Sequence, residues 1–158
     1  MIYQNDPRFN EKIRLYGCNF RSLLAIAEVY CDEELTARDI ALAYDELVGI
    51  AMDVDCTMNA QLSLVPRWAF KKLNHSTYSV AQIGMIEAPA KFDFWKSARV
   101  YTIMKGLMHP VGYKGRAYPT YHFRLGNREG KVMFDPVNPA PRMLNEVVSL
   151  LYQVVEVS

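Results

Sequence analysis

Cys18, His122 and Asp135 are the residues whose types and order suit nucleophilic chemistry. Cys18 follows Gly17 and opens a segment whose apolar spacing predicts a helix. A helix N-terminus presents free N–H groups and a partial positive charge, and both stabilise a thiolate. His122 stands at the start of an alternating stretch, Tyr121 to Leu125. A turn at Gly126 to Gly130 follows, and a second alternating stretch, Lys131 to Phe134, runs into Asp135-Pro136. That pattern predicts a β-hairpin. In an antiparallel pair the start of one strand lies beside the end of the next, so His122 and Asp135 are expected to be neighbours. A carboxylate fixes the tautomer and orientation of an imidazole, and an imidazole beside a thiol makes a nucleophile. The meeting of Cys18 with His122 requires tertiary structure that local spacing does not supply.

The elements that must position these residues are legible in part. Phe20, Leu23, Leu24, Ala27 and Tyr30 or Cys31 draw one apolar stripe on the first helix. Gly17 before it can take backbone angles closed to other residues. Thr36 and Asp39 form a capping box for a second helix, whose stripe runs Ile40, Ala43, Tyr44, Leu47 and Val48, with Gly49 at its end. Pro66 opens a short helix through Leu73. Residues 51–64 read as a helix start or a solvated turn. Asp53, Asp55 and Asn59 loosely resemble a calcium loop without its central glycine or terminal acid. Val100 to Met104 reads as a strand, and Phe94 to Leu107 fits helical spacing equally well. Residues 109–120 form a long loop. Leu144 to Leu151 is expected as a last helix, and Val154, Val155 and Val157 as a final strand. Helices first and antiparallel strands afterwards indicate an α+β domain.

Length and composition bound the rest. A chain of 158 residues suits one domain over 1–158, and 51% hydrophobic residues can build its core. Eighteen basic against 17 acidic residues leave a net charge of +1, which gives nucleic acid no broad electrostatic footprint. The cluster Arg67, Trp68, Lys71 and Lys72 reads as a solvated face. Cys18, Cys31 and Cys56 are odd in number and form no CxxC pair, which argues against a disulfide framework and a four-cysteine zinc site. Cys31 and Cys56 are expected to be small core residues. The proposed chemistry needs no cofactor and no metal. No apolar run approaches the ~18–20 residues of a membrane span, and the polar start lacks the pattern of a secretory signal. No membrane insertion and a cytoplasmic location as synthesised are therefore expected.

Tyr16-Gly17-Cys18-Asn19-Phe20-Arg21-Ser22-Leu23-Leu24 resembles the nucleophile helix of papain-like cysteine peptidases. The likeness is to the compact branch of the bacteriocin leader (double-glycine) peptidases and to small prophage-encoded cysteine-peptidase-like proteins. The second half is similar too: a strand led by His122, a glycine turn, then a strand running into Asp135-Pro136. The resemblance implies a papain-like fold, with N-terminal helices packed on a C-terminal antiparallel sheet. It implies Cys18 as nucleophile, His122 as base and then acid, Asp135 as its orienting carboxylate, and the Cys18 N–H as one oxyanion donor. The family carries a Gln about six residues before the nucleophile, where this chain has Lys12, and a Gly after the Cys, where this chain has Asn19. Gln4 can serve as the missing donor if the N-terminal segment folds back over the cleft, and Asn19 if its side chain turns to the mouth. Asn10, the other upstream amide, is also off register.

Two kinds of function follow. One is a cysteine amidohydrolase acting through a thioester on a peptide or a peptidoglycan-derived substrate. It would be a maturation peptidase, or a phage lysin released to the cell wall with a partner. Tyr113, Tyr118 and Tyr121, in and beside the loop before His122, are its candidate substrate wall. The other is a catalytically inactive papain-like binding or assembly module. His75 and His109 are rival bases, but neither leads a strand that delivers a carboxylate.

Overall fold

Thr36 and Asp39 do cap a helix in both directions. Asp39 N–H donates to Thr36 Oγ1 at 3.1 Å, and Thr36 N–H to Asp39 Oδ2 at 3.0 Å. In the computed structural model, which describes residues 1–59, 63–84 and 99–156, that helix is α3, Ala37–Leu47. Before it come α1, Glu11–Tyr16, and α2, Cys18–Cys31; after it comes α4, Leu64–Lys72. Five strands follow: β1 Tyr78–Gly84, β2 Val100–His109, β3 Thr120–Asn127, β4 Val132–Phe134 and β5 Asn145–Glu156. They form one antiparallel sheet in the order β1-β5-β2-β3-β4. The architecture is α+β, helices leading and sheet following.

Three elements depart from the sequence expectation. Leu144 to Leu151 is not a helix: β5 starts at Asn145 and this part of it pairs with β2, while pairing with β1 begins at Leu151. The β2 ladder favours the extended form over a helical apolar pattern, and the Val-rich composition suits it. β1 is a strand that the sequence reading did not contain, and so is helix α1, whose start is capped by Asn10 Oδ1 accepting from Ile13 N–H at 2.9 Å. From residue 100 onward the helical alternative is excluded, since Val100–His109 is strand. Its Phe94 end lies outside the described residues, as does Val157.

α2 is more deeply placed than one apolar stripe requires. Every residue from Phe20 to Glu28 is buried, so the helix is enclosed on all sides. It packs against α4 and against β3 and β2. Leu23, Leu24 and Ile26 meet Ile103, Leu125 and Tyr152 of the sheet in one core; full burial stabilises each such side chain by roughly 1.5–3 kcal/mol. Arg21 and Glu28, fully buried among them, form an ion pair. Arg21 Nε also donates to the Ile2 carbonyl at 2.7 Å, and its guanidinium lies 5.0 Å from the Phe134 ring centre. Leu35 N–H donates to Glu28 at 3.1 Å. One buried pair thus ties the N-terminal segment, α2, the approach to α3 and β4 together. Among the described residues no helix is long and apolar enough to cross a membrane.

Candidate active site

Cys18 is the first residue of α2, and Gly17 caps both α1 and α2. Gly17 has φ −82°, which any residue adopts, so special backbone angles are not its reason. Space is: a Cβ there would stand 2.4 Å from the Ile13 carbonyl oxygen. The corner between the helices is tight for that reason. It leaves the Cys18 N–H, in the first turn of α2, without an acceptor in its own helix.

The hairpin brings the other two residues to this corner. Leu125 pairs with Phe134 across β3 and β4, and Asn127 Oδ1 closes the turn by accepting from the N–H groups of Glu129 and Lys131, both at 2.9 Å. His122 and Asp135 lie just beyond the paired residues. His122 Nε2 stands 2.7 Å from Asp135 Oδ1, and Cys18 is close enough to the same imidazole to raise its pKa. With Nε2 engaged by the carboxylate, Nδ1 is the nitrogen left for the sulfur. Val137 N–H also donates to Asp135 Oδ1 at 2.9 Å, while Oδ2 has no hydrogen bond and faces the Arg124 guanidinium at 3.6 Å. Arg124 is itself held by Glu146 through bonds of 2.7 and 2.6 Å. The carboxylate is therefore fixed from three directions.

Charge favours an imidazolium here. Burial is the largest single influence on His122 and opposes protonation. The hydrogen bond to Asp135, its negative charge and the neighbouring Cys18 together outweigh it and raise the pKa from 6.5 to about 9. Cys56 behaves oppositely. Burial, with Cys18, Asp53 and Asp55 adding negative neighbours, pushes its thiol up to about 12. Burial and then Glu33 also raise Cys31.

A cleft of about 890 Å³ opens on these residues, with Cys18 and His122 in its wall. Gln4 lines it too, although it is only 2% exposed. The N-terminal segment folds back as that role requires. Gln4 N–H donates to the Pro136 carbonyl at 2.7 Å, and Asn5 and Asn138 exchange two further bonds. Gln4 Nε2 donates to the Arg14 carbonyl at 3.2 Å; a primary amide has two hydrogens, so one remains for the cleft. Asn19 also lines the cleft, but its Oδ1 is buried without a partner, as is Gln4 Oε1. Two such acceptors call for N–H donors, which an extended peptide carries.

No family model matches the chain, and neither a curated protein nor a solved structure is significantly similar to it. Its function rests on the geometry of the site.

The remaining expected residues divide. Tyr113 and Tyr121 line the cleft, but Tyr118 is 80% exposed and does not, which removes it from the substrate wall. His109 lies flat on Tyr113, ring centres 3.8 Å apart. His75 does find a carboxylate, Glu33 at 3.1 Å, but outside the cleft. Asp53 Oδ1 is occupied by the N–H groups of Asp55 and Thr57, at 2.9 and 3.0 Å, and Asp55 pairs with Lys12. The stretch is a turn that delivers Cys56 and Thr57 to the cleft wall. Among the described residues no cluster of three or more His, Cys, Asp or Glu is placed to hold a metal.

Three contributors escaped the sequence reading. Ser22, one turn after Cys18, donates to the Phe123 carbonyl at 3.4 Å and so links the Cys helix to the His strand. Arg124 is two residues from His122, the period that shares a strand face, and that signal was available. Lys105 pairs with Phe123 across β2 and β3; only the tertiary register reveals it.

Proposed function

We propose that this protein is a cysteine peptidase or related amidohydrolase with a papain-like arrangement. The observation that carries the reading is a single imidazole, His122, hydrogen-bonded to Asp135 at 2.7 Å and sharing the wall of one cleft with Cys18. The papain-like arrangement is supported by the order of elements: a nucleophile on the first residue of an enclosed helix, with base and carboxylate from the antiparallel sheet that follows.

In the proposed reaction Cys18 Sγ attacks the carbonyl carbon of an amide. The C–S bond forms, and the carbonyl electron pair moves to oxygen. The Cys18 N–H and the free hydrogen of Gln4 Nε2 receive that oxyanion. The tetrahedral adduct collapses, the C–N bond breaks, and the His122 imidazolium gives its proton to the leaving amine. Asp135 keeps the ring oriented throughout. His122, now neutral, takes a proton from water as it attacks the thioester. The C–S bond breaks, and the acid product leaves. The substrate is a peptide or the peptide part of a cell-wall polymer, cut by a maturation peptidase or a lysin.

One observation favours the alternative of an inactive binding module: one Gln4 hydrogen is already committed to the Arg14 carbonyl. Alkylation of each cysteine, read by peptide mass spectrometry in wild type and His122→Ala, separates the two. Labelling of Cys18 by iodoacetamide well above a model thiol at pH 7, lost in His122→Ala, supports the peptidase. Equal slow labelling of all three cysteines overturns it.

A further inference from the structure

The chain as a whole is nearly neutral, at +1, but its cleft is not. Arg14, Lys105, Lys114 and Arg116 all line it, against one acid, Asp55, which is tied to Lys12 at 2.5 Å. Among the described residues none of the four cations is paired with a carboxylate. Two of them lie over rings instead. Lys105 Nζ stands 4.1 Å from the Tyr121 ring centre, and Lys114 Nζ 5.5 Å from that of Tyr113. A ring face holds an ammonium group in place without neutralising it. Arg14 is steadied by a 3.0 Å bond from Nε to the Phe9 carbonyl, which leaves its charge uncompensated. A cleft lined by one sign of charge raises the local concentration of the opposite sign.

Resting on the peptidase reading, we propose that the cleft selects substrates bearing a carboxylate close to the scissile amide, with Lys105, Lys114 and Arg116 as its specificity-determining residues. The carboxylate is either an acidic side chain or a free C-terminal group of the peptide. Tyr121 and Tyr113 fix the two lysines, and the substrate anion supplies the partner that the folded chain withholds.

The test compares iodoacetate with iodoacetamide at Cys18, two alkylating reagents of similar size that differ in charge. The ratio of their rates is measured in wild type, in Lys105→Gln/Lys114→Gln/Arg116→Gln, and in glutathione. The expected wild-type ratio exceeds that of glutathione by at least about fivefold, falls with added salt, and drops by at least about threefold in the triple variant. Because His122 alone attracts an anion, a ratio unchanged in the triple variant overturns the proposal. The ratio can be read even on a sluggish thiol. Slow iodoacetamide labelling therefore sinks the peptidase reading separately from the charged wall. In a second arm, peptides are tested for protecting Cys18 from iodoacetamide. Glu is set against Gln in one pair, and a free against an amidated C-terminus in the other. Protection by the acidic member of either pair identifies the carboxylate's source. Equal protection by neutral and acidic members overturns the proposal.

Discussion

Gln4 N–H donates to the Pro136 carbonyl at 2.7 Å, so this cleft-lining residue is anchored one residue beyond Asp135. The N-terminal segment and the end of the hairpin position each other, and the cleft takes its polar edge from the joint.

The first prediction concerns that edge. On the peptidase reading, Gln4→Ala removes an oxyanion donor, so kcat on an amide substrate falls by about 10²–10³ with little change in KM. Alkylation of Cys18, which forms no oxyanion, keeps its rate. Paired turnover and alkylation assays check both halves. A parallel loss in the two assays would reassign Gln4 to holding the fold.

The second concerns pH. His122 has a folded pKa of about 9, above the 6.5 of the free imidazole. A raised pKa means that protonation favours the folded state. Its contribution to stability is complete below about pH 6.5 and is lost as pH rises to about 9. The urea midpoint should therefore decline across that window. Turnover that needs the imidazolium as acid should fall above it. In Asp135→Asn the carboxylate charge that raises the pKa is gone and a neutral acceptor is left, so the descending limb moves to lower pH. A limb that stays in place would mean Asp135 does not tune the ring.

The third ranks the thiols. Cys56, pushed up to about 12 by burial, and Cys31, also raised, have few thiolates at pH 7. Cys18, on the cleft beside the His122 imidazole, should label first by at least about tenfold. Time-resolved mass spectrometry at pH 7 reads the order directly.

The fourth concerns the enclosed ion pair. Arg21→Met leaves Glu28 buried and unpaired, at a cost of about 3–5 kcal/mol. The double change Arg21→Met/Glu28→Leu removes both charges and should recover much of that loss. Urea unfolding of the two variants measures the difference. Because Arg21 also holds the Ile2 carbonyl, the single variant should loosen the N-terminal segment as well.

The sequence was most readable where structure is local. Thr36 and Asp39 satisfy each other within one turn, and His122 and Asp135 are joined by a short hairpin, so spacing alone brings each pair together. It was least readable where a distant partner decides. Leu144 to Leu151 has helical spacing, but a distant strand, β2, pairs with it from Asn145 onward. Gly17 is glycine because of a carbonyl in the preceding helix, a steric fact that no propensity carries. Gln4 was readable as a candidate only on the condition that its segment folded back. The carbonyl that secures it belongs to Pro136, at the far end of the hairpin.

The bonds between Asn5 and Asn138 span 133 positions of chain. On a ribosome the helix bearing Cys18 is finished long before the residues that secure Gln4 have been made, and chains of this topology complete such long-range closures late. A nascent chain therefore exposes Cys18 before His122 is made and before Gln4 is anchored to Pro136. On the peptidase reading, translation order itself keeps an unfinished copy inert.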